Sequence, residues 1–143
     1  MNVVLDTSVL IADERGQWDG ARFMAEIVVD GLLAMSAISA SEFLQGVLRA
    51  HPGKRRDRRE AMFEFILNTI ELLPFGLEEA ITHAKLNAEL SRSGIVIGPH
   101  DLIIAATCLH HDCALATFNT TEFARIPDLR LAPADDFRPK KNF

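Results

Sequence analysis

Cysteine is scarce in this chain and positive charge is in deficit. The 143 residues hold two cysteines, and 15 Lys and Arg stand against 20 Asp and Glu, for a net charge of -5. That balance argues against a generic nucleic-acid coat, whose affinity comes from spread positive charge. It leaves room for a local basic patch and for an acidic site that a metal would neutralise. The segment Cys108-Leu109-His110-His111-Asp112-Cys113 raises the question of zinc. No second Cys or His pair stands at the usual separation, and Cys108 falls on an apolar helix, so two buried thiols in a reducing compartment is the preferred reading. No stretch approaches the roughly 20 apolar residues of a membrane span, and no basic region followed by an apolar run opens the chain. A cytoplasmic protein with no membrane contact is expected. Repeats, low-complexity tracts, a Gly-rich phosphate cradle and an evident nucleophile motif are all lacking, which counts against a hydrolase of small phosphate esters.

What is present has ordinary globular proportions, with 48% apolar and 24% charged residues. The length suits one domain with one substantial core, over residues 1–132, followed by a polar tail, 133–143, with two prolines, expected to fray. Val3-Val4-Leu5 is an unbroken apolar run, as in a parallel strand covered on both faces. Asp6 ends it at the strand edge where open α/β sheets bind ligands, although Asp6 also fits as a helix cap on the amide of Ser8 or Val9.

Further along, a short helix from Val9 breaks at Asp13-Glu14-Arg15-Gly16, and a second runs from Trp18 to Val29. Leu32 to Ile38 reads as a strand. Ser39 with Glu42 fits a capping box opening the next helix, which closes at His51-Pro52-Gly53. Lys54-Arg55-Arg56-Asp57-Arg58-Arg59 is the one dense basic run, either a solvated helix start or a phosphate-contacting patch. The helix from Ala61 to Ile70 puts Met62, Phe65 and Ile66 toward the core and leaves Phe63 and Leu67 for a subunit or partner. Glu71 to Phe75 is a strand; Leu77, Ile81, Ala84 and Ala88 mark the buried face of a helix, with His83 in solvent. Pro99 and Asp101 open a helix that is apolar all round from Leu102 to Leu109 and must be interior. Cys113 to Thr117 and Leu129 to Leu131 are the remaining strands.

Asp6, Glu42, Asp101 and Glu122 all fall just after a strand or early in a helix, places that share one side of a parallel sheet. Three carboxylates about 4 to 5 Å apart would repel by roughly 3 to 4 kcal/mol per pair at an effective dielectric near 20. Helix N-termini offset part of this; a hard divalent cation such as Mg²⁺ or Mn²⁺, or protons, must offset the rest. Such an ion generates a hydroxide nucleophile and stabilises phosphoryl charge. Thr7, Ser8, Thr117 and Asn119 stand ready to position waters or phosphate oxygens, and Arg55 and Arg56 to contact the backbone of a nucleic acid.

Four fragments carry a family resemblance: Val3-Val4-Leu5-Asp6-Thr7-Ser8, Ser39-Ala40-Ser41-Glu42-Phe43-Leu44-Gln45-Gly46, Gly98-Pro99-His100-Asp101-Leu102-Ile103-Ile104-Ala105-Ala106, and Ala116-Thr117-Phe118-Asn119-Thr120-Thr121-Glu122-Phe123. In this order, over nearly the whole chain, they resemble the PIN-domain ribonucleases, and among them the VapC-like toxins of toxin-antitoxin pairs. The resemblance implies an α/β fold, a parallel sheet of four to five strands with helices on both faces, a PIN-like three-layer sandwich. It implies a Mg²⁺-dependent endoribonuclease in which Asp6 and Asp101 hold the metal and Glu42 completes the cluster and orients the attacking water. Where relatives carry Asp, Glu122 reaches the ion through water or not at all, and Asn119 can share that duty. It further implies an RNA substrate, a homodimer and a cognate antitoxin. The alternative is a catalytically silent module of the same fold that binds RNA or a partner.

Overall fold

The computed structural model describes residues 1–140. Its centre is a sheet of four parallel strands in the order β3-β2-β1-β4, with β1 at Val3–Leu5, β2 at Leu33–Ser36, β3 at Glu71–Leu73 and β4 at Ala114–Ala116. Both faces are covered, which is why β1 reads as a continuous apolar run. Val3 and Leu5 point into one core with Trp18, Phe23, Met35, Phe43, Val47 and Phe137, while Val4 points into the other with Leu86, Leu90, Ile104 and Leu115. The expected α/β sandwich is thus the observed one. The fifth strand shrinks to one parallel bridge, Leu115 to Leu131, made by the Leu115 amide donating to the Arg130 carbonyl and the Ala132 amide donating to the Leu115 carbonyl.

Among the described residues seven α-helices connect and cover the strands: α1 (Thr7–Glu14), α2 (Gly20–Phe23), α3 (Ala37–Arg49), α4 (Lys54–Thr69), α5 (Leu77–Arg92), α6 (Pro99–His110) and α7 (Thr120–Phe123). A π-turn at Met24–Val28 extends α2, and Val29 then adopts φ 55, so the expected helix from Trp18 to Val29 stops before Gly31. The α6 helix is interior as its composition requires, with Leu102 and Ile104 through Cys108 buried.

Four local expectations are corrected. Ser36, not Ser39, caps α3, its hydroxyl accepting from the amide of Ile38. The helix therefore starts three residues earlier, Ser39 is buried inside it, and Glu42 falls in the second turn, outside any capping box. On α5 the stripe Leu77, Ile81, Ala84 and Ala88 is exposed, and Glu79, Leu86 and Leu90 are buried instead; His83 is half-buried and meets the Phe75 ring edge-on at 5.5 Å. On α4 Phe63 turns inward to stack on Phe43 with centroids 6.1 Å apart, while Phe65 is the exposed one, at 60%. Finally the chain does not fray at Pro133. Ala134 and Phe137 are buried, the Trp18 indole N–H donates to the Ala134 carbonyl at 2.9 Å, and Phe137 meets Phe23 edge to face. Residues 141–143 of the expected tail lie outside the described residues.

Cys108 and Cys113 are free and buried, and burial pushes both thiols up, so they stand protonated as expected for core thiols. No helix of the described residues is long and apolar enough to cross a membrane.

Candidate active site

Asp6 leaves the carboxyl end of β1 and does two things at once. Its Oδ1 accepts from the amide of Thr7 and so caps α1, while Oδ2 accepts from the hydroxyls of Thr117, at 2.7 Å, and Ser8, at 2.9 Å. A carboxylate offers about four acceptor directions. Three are taken, which fixes the group. Thr117 is itself held, accepting from the amide of Asn119 at 3.0 Å, and Ser8 accepts from the amide of Phe118 at 3.2 Å.

Glu42 arrives from the second turn of α3 and Asp101 from the first turn of α6. Burial pushes the Glu42 carboxyl above its usual range; the charges of Asp6 and Asp101 add to the shift, and His100 opposes it. Burial likewise raises Asp101, with Asp6 and then Glu122 adding and His100 opposing. Each acid thus feels the others. Oε1 of Glu42 is buried with no hydrogen-bond partner; Nδ1 of His100 stands 3.6 Å away, an ion-pair distance beyond hydrogen-bond reach. The Asn119 amide nitrogen reaches Oδ2 of Asp101 at 3.4 Å, and Glu122 pairs with Arg125 at 3.3 Å.

At least one pair of ligand atoms among the three main acids stands more than 4.8 Å apart. A divalent cation fits them nonetheless. All the donors are hard oxygens, one carboxylate oxygen is buried without a partner, and two carboxyls resist ionising. An ion that keeps several waters, as Mg²⁺ does, tolerates such spacing.

The other expected site residues divide. Thr7 and Thr117 were expected at the substrate, but they are 8% and 1% exposed, and their hydroxyls turn to the Ser39 carbonyl and to Asp6. They position the acid instead. Asn119 lies within the acid group. Arg55 and Arg56 do not. They stand near the far end of α1, where Arg55 and Arg58 line a cleft with Glu14, Arg15 and Gln17, and Arg56 is held by Glu60 and the Ala50 carbonyl. Sequence reasoning passed over His100, whose only signal was its place directly before Asp101.

The PIN domain family model matches residues 3–129, nearly the whole of this architecture. The chain belongs to the PIN-domain family. As a PIN domain it is 35% identical over 131 residues to Ribonuclease VapC1 of Rickettsia felis, covering 92% of this chain and 95% of that protein. It is 30% identical over 99 residues to a tRNA(fMet)-specific endonuclease VapC of Salmonella typhimurium, over 69% of this chain and 73% of that protein. Among solved structures it superposes on VapBC2 from Rickettsia felis bound to a DNA fragment from their promoter, with TM-score 0.81 and 26% identity over 92% of this chain and 98% of that one. The expectation of a VapC-like PIN-domain ribonuclease is borne out.

Proposed function

We propose that this PIN-domain ribonuclease cuts RNA internally with one Mg²⁺ held by Asp6, Glu42 and Asp101, as the toxin of a toxin-antitoxin pair. The observation that carries this reading is the unpartnered, buried Oε1 of Glu42 opposite two further carboxylates, an arrangement that an added cation makes tolerable. Bound there, the ion supplies a nucleophilic hydroxide and offsets phosphoryl charge, and Mn²⁺ shares the oxygen preference.

The chain's own residues then have distinct tasks. Asp6, locked by Thr117 and Ser8, fixes the position of the ion. Glu42 orients the attacking water and takes its proton on the carboxylate oxygen turned away from the ion. Asn119 steadies Asp101, and Glu122 acts through water. The Arg55 and Arg58 cleft lies about 12 Å along α1 from Asp6, a span of a few nucleotides, and grips the RNA backbone away from the cut. Arg56 buttresses it. The tRNA-specific name of one relative makes a structured RNA the first substrate to try, and an RNA substrate puts the work in the cytoplasm.

Two surfaces support partners. A groove of ≈ 840 Å³ lined by Trp18, Phe23, Met62 and Phe65 is largely apolar and suits the antitoxin. The exposed stripe of Leu72, Phe75, Leu77 and Ile81 on β3 and α5 suits a second copy of the chain.

The deciding experiment incubates a structured RNA with the wild type and with Asp6→Asn, in Mg²⁺ and in chelator, after circular dichroism has shown both folded. Internal cutting by the wild type alone, abolished by chelator, is the expected result. Equal cutting by both proteins overturns the assignment. RNA retention by both without cutting leaves the silent binding module.

A further inference from the structure

The α6 helix carries Asp101 at its start and a different group of side chains at its end. His110 is its last residue and His111 its C-cap, and Glu79 faces them from the first turn of α5. One ligand atom from each of Glu79, His110 and His111 lies within 4.8 Å of the other two, a property of no other group of three or more His, Cys, Asp or Glu among the described residues.

Two of the three side chains, Glu79 and His110, have a second partner that orients them. The Glu79 side chain is 8% exposed. Its Oε2 accepts from the Gly76 amide at 3.1 Å, which leaves Oε1 aimed at Nε2 of His111, 2.9 Å away. Hydrogen bonds from its own amide, from His111 and from the Gly76 amide hold this carboxyl below the usual range against the effect of burial. Nδ1 of His110 lies 3.4 Å from the Thr82 hydroxyl. A hydrogen bond given there leaves the Nε2 lone pair for a ligand, the way a hydroxyl or carbonyl fixes the tautomer of a metal-bound imidazole. The two rings stand edge to face, 88° apart, each about a quarter exposed, so an ion has a way in. Glu78, exposed and rotatable, has Oε2 3.3 Å from Nε2 of His110.

We propose that Glu79, His110 and His111 form a second metal site, separate from the acid cluster, for a borderline divalent ion of the Zn²⁺ class. Imidazole donors suit Zn²⁺, Co²⁺ or Ni²⁺, whereas Mg²⁺ prefers oxygen. Two imidazoles and one carboxylate make three of the four positions of a tetrahedral site, with Glu78 or water as the fourth; ring rotation closes the set to metal–ligand lengths of about 2 Å. The ion replaces the His111–Glu79 hydrogen bond. The segment between Cys108 and Cys113 lacked a second ligand pair in the sequence; the fold brings in Glu79 from 32 residues upstream of His111. The buried thiols of Cys108 and Cys113 are not among the grouped ligand atoms and take no part. Such an ion would staple the start of α5 to the end of α6, about 13 Å from Asp101.

The test titrates tag-free protein with Co²⁺ in excess Mg²⁺, following the visible ligand-field bands and the heat. The Asp6→Asn, Asp101→Asn double variant should still bind one Co²⁺ tightly, displaceable by Zn²⁺. His110→Gln should weaken binding by about tenfold or more, as should Glu79→Gln, in which the amide oxygen retains the cap on Gly76. RNA cutting in Mg²⁺ should be unchanged in His110→Gln. Three results would each overturn the site: no saturable binding by the double variant at micromolar ion, equal affinity in folded His110→Gln and Glu79→Gln, or an intense near-ultraviolet thiolate band.

Discussion

The hydroxyl of Thr117, at the end of β4, donates to Oδ2 of Asp6, at the end of β1, across 2.7 Å inside the protein. Two strands adjacent in the sheet but 111 residues apart in sequence thereby lock one carboxylate. Thr117→Val keeps the shape and removes the donor. A hydrogen bond to a charged group is worth about 1.5 to 3 kcal/mol, so urea melts should show a loss of that order. Mg²⁺ affinity should fall by about tenfold or more, as when the partner of a metal ligand is removed. Unchanged affinity would mean that Ser8 alone orients Asp6.

Metal-free stability should respond to Asp101 in one direction. Its folded pKa is raised by burial, then by Asp6 and Glu122. A carboxyl raised above its unfolded value of about 3.9 gives its full stabilisation below that value and loses it as pH climbs through the folded pKa. At neutral pH the ionised group therefore costs the empty fold. Asp101→Asn, in chelator, should melt above the wild type at neutral pH, and the gap should close toward about pH 4. Mg²⁺ should raise the wild-type melting temperature more than that of the variant by mass action. A variant that melts lower in chelator at neutral pH would contradict the strain assigned to this acid.

The residues after Pro133 belong to the core. Phe137→Ala should cost about 3 to 5 kcal/mol, the range for a buried aromatic. Because Trp18 is the only tryptophan and bonds to Ala134, its fluorescence reports the same region. Denaturant melts followed at that wavelength should shift with the global transition. A cost near zero would mean that this segment packs without contributing.

Oligomeric state should follow the exposed stripe on α5. Leu77→Asp combined with Ile81→Asp removes apolar surface that the fold of one chain does not use, so light scattering should report half the wild-type mass with little change in the unfolding of the chain. A wild type that is monomeric at high concentration would remove the dimer from the reading.

The unbroken Val3-Val4-Leu5 run announced a strand covered on both faces, and the all-round apolar α6 announced an interior helix; both signals are local and survive folding. What failed depended on partners distant in sequence. The spacing of Leu77, Ile81, Ala84 and Ala88 identifies a helix, but which stripe meets the core is decided by its neighbours, and Glu79 can be buried because its carboxylate has hydrogen-bond partners in the Gly76 amide and the His111 ring. Ser36 and Ser39 both precede helical residues, and sequence chose the later one, which also credited Glu42 with a cap it does not make. Thr117 was legible at the Asp6 corner, but that its hydroxyl donates to Asp6 itself depends on β1 and β4 being neighbours in the sheet. Asp6, Glu42, Asp101 and Glu122 were legible as candidates because each follows a strand or falls in the first turns of a helix; how far their side chains reach was not, because that is a tertiary property.

The bridge from Leu131 to Leu115 makes the sheet lopsided. Its β4 rim is stitched to the returning chain, so strand addition, whether by exchange between molecules or by fibril growth, finds that side closed. The opposite rim is β3, and an edge strand is a template for further pairing. There the exposed Glu71 stands at the first position, and its neutralisation should favour stacking along that rim.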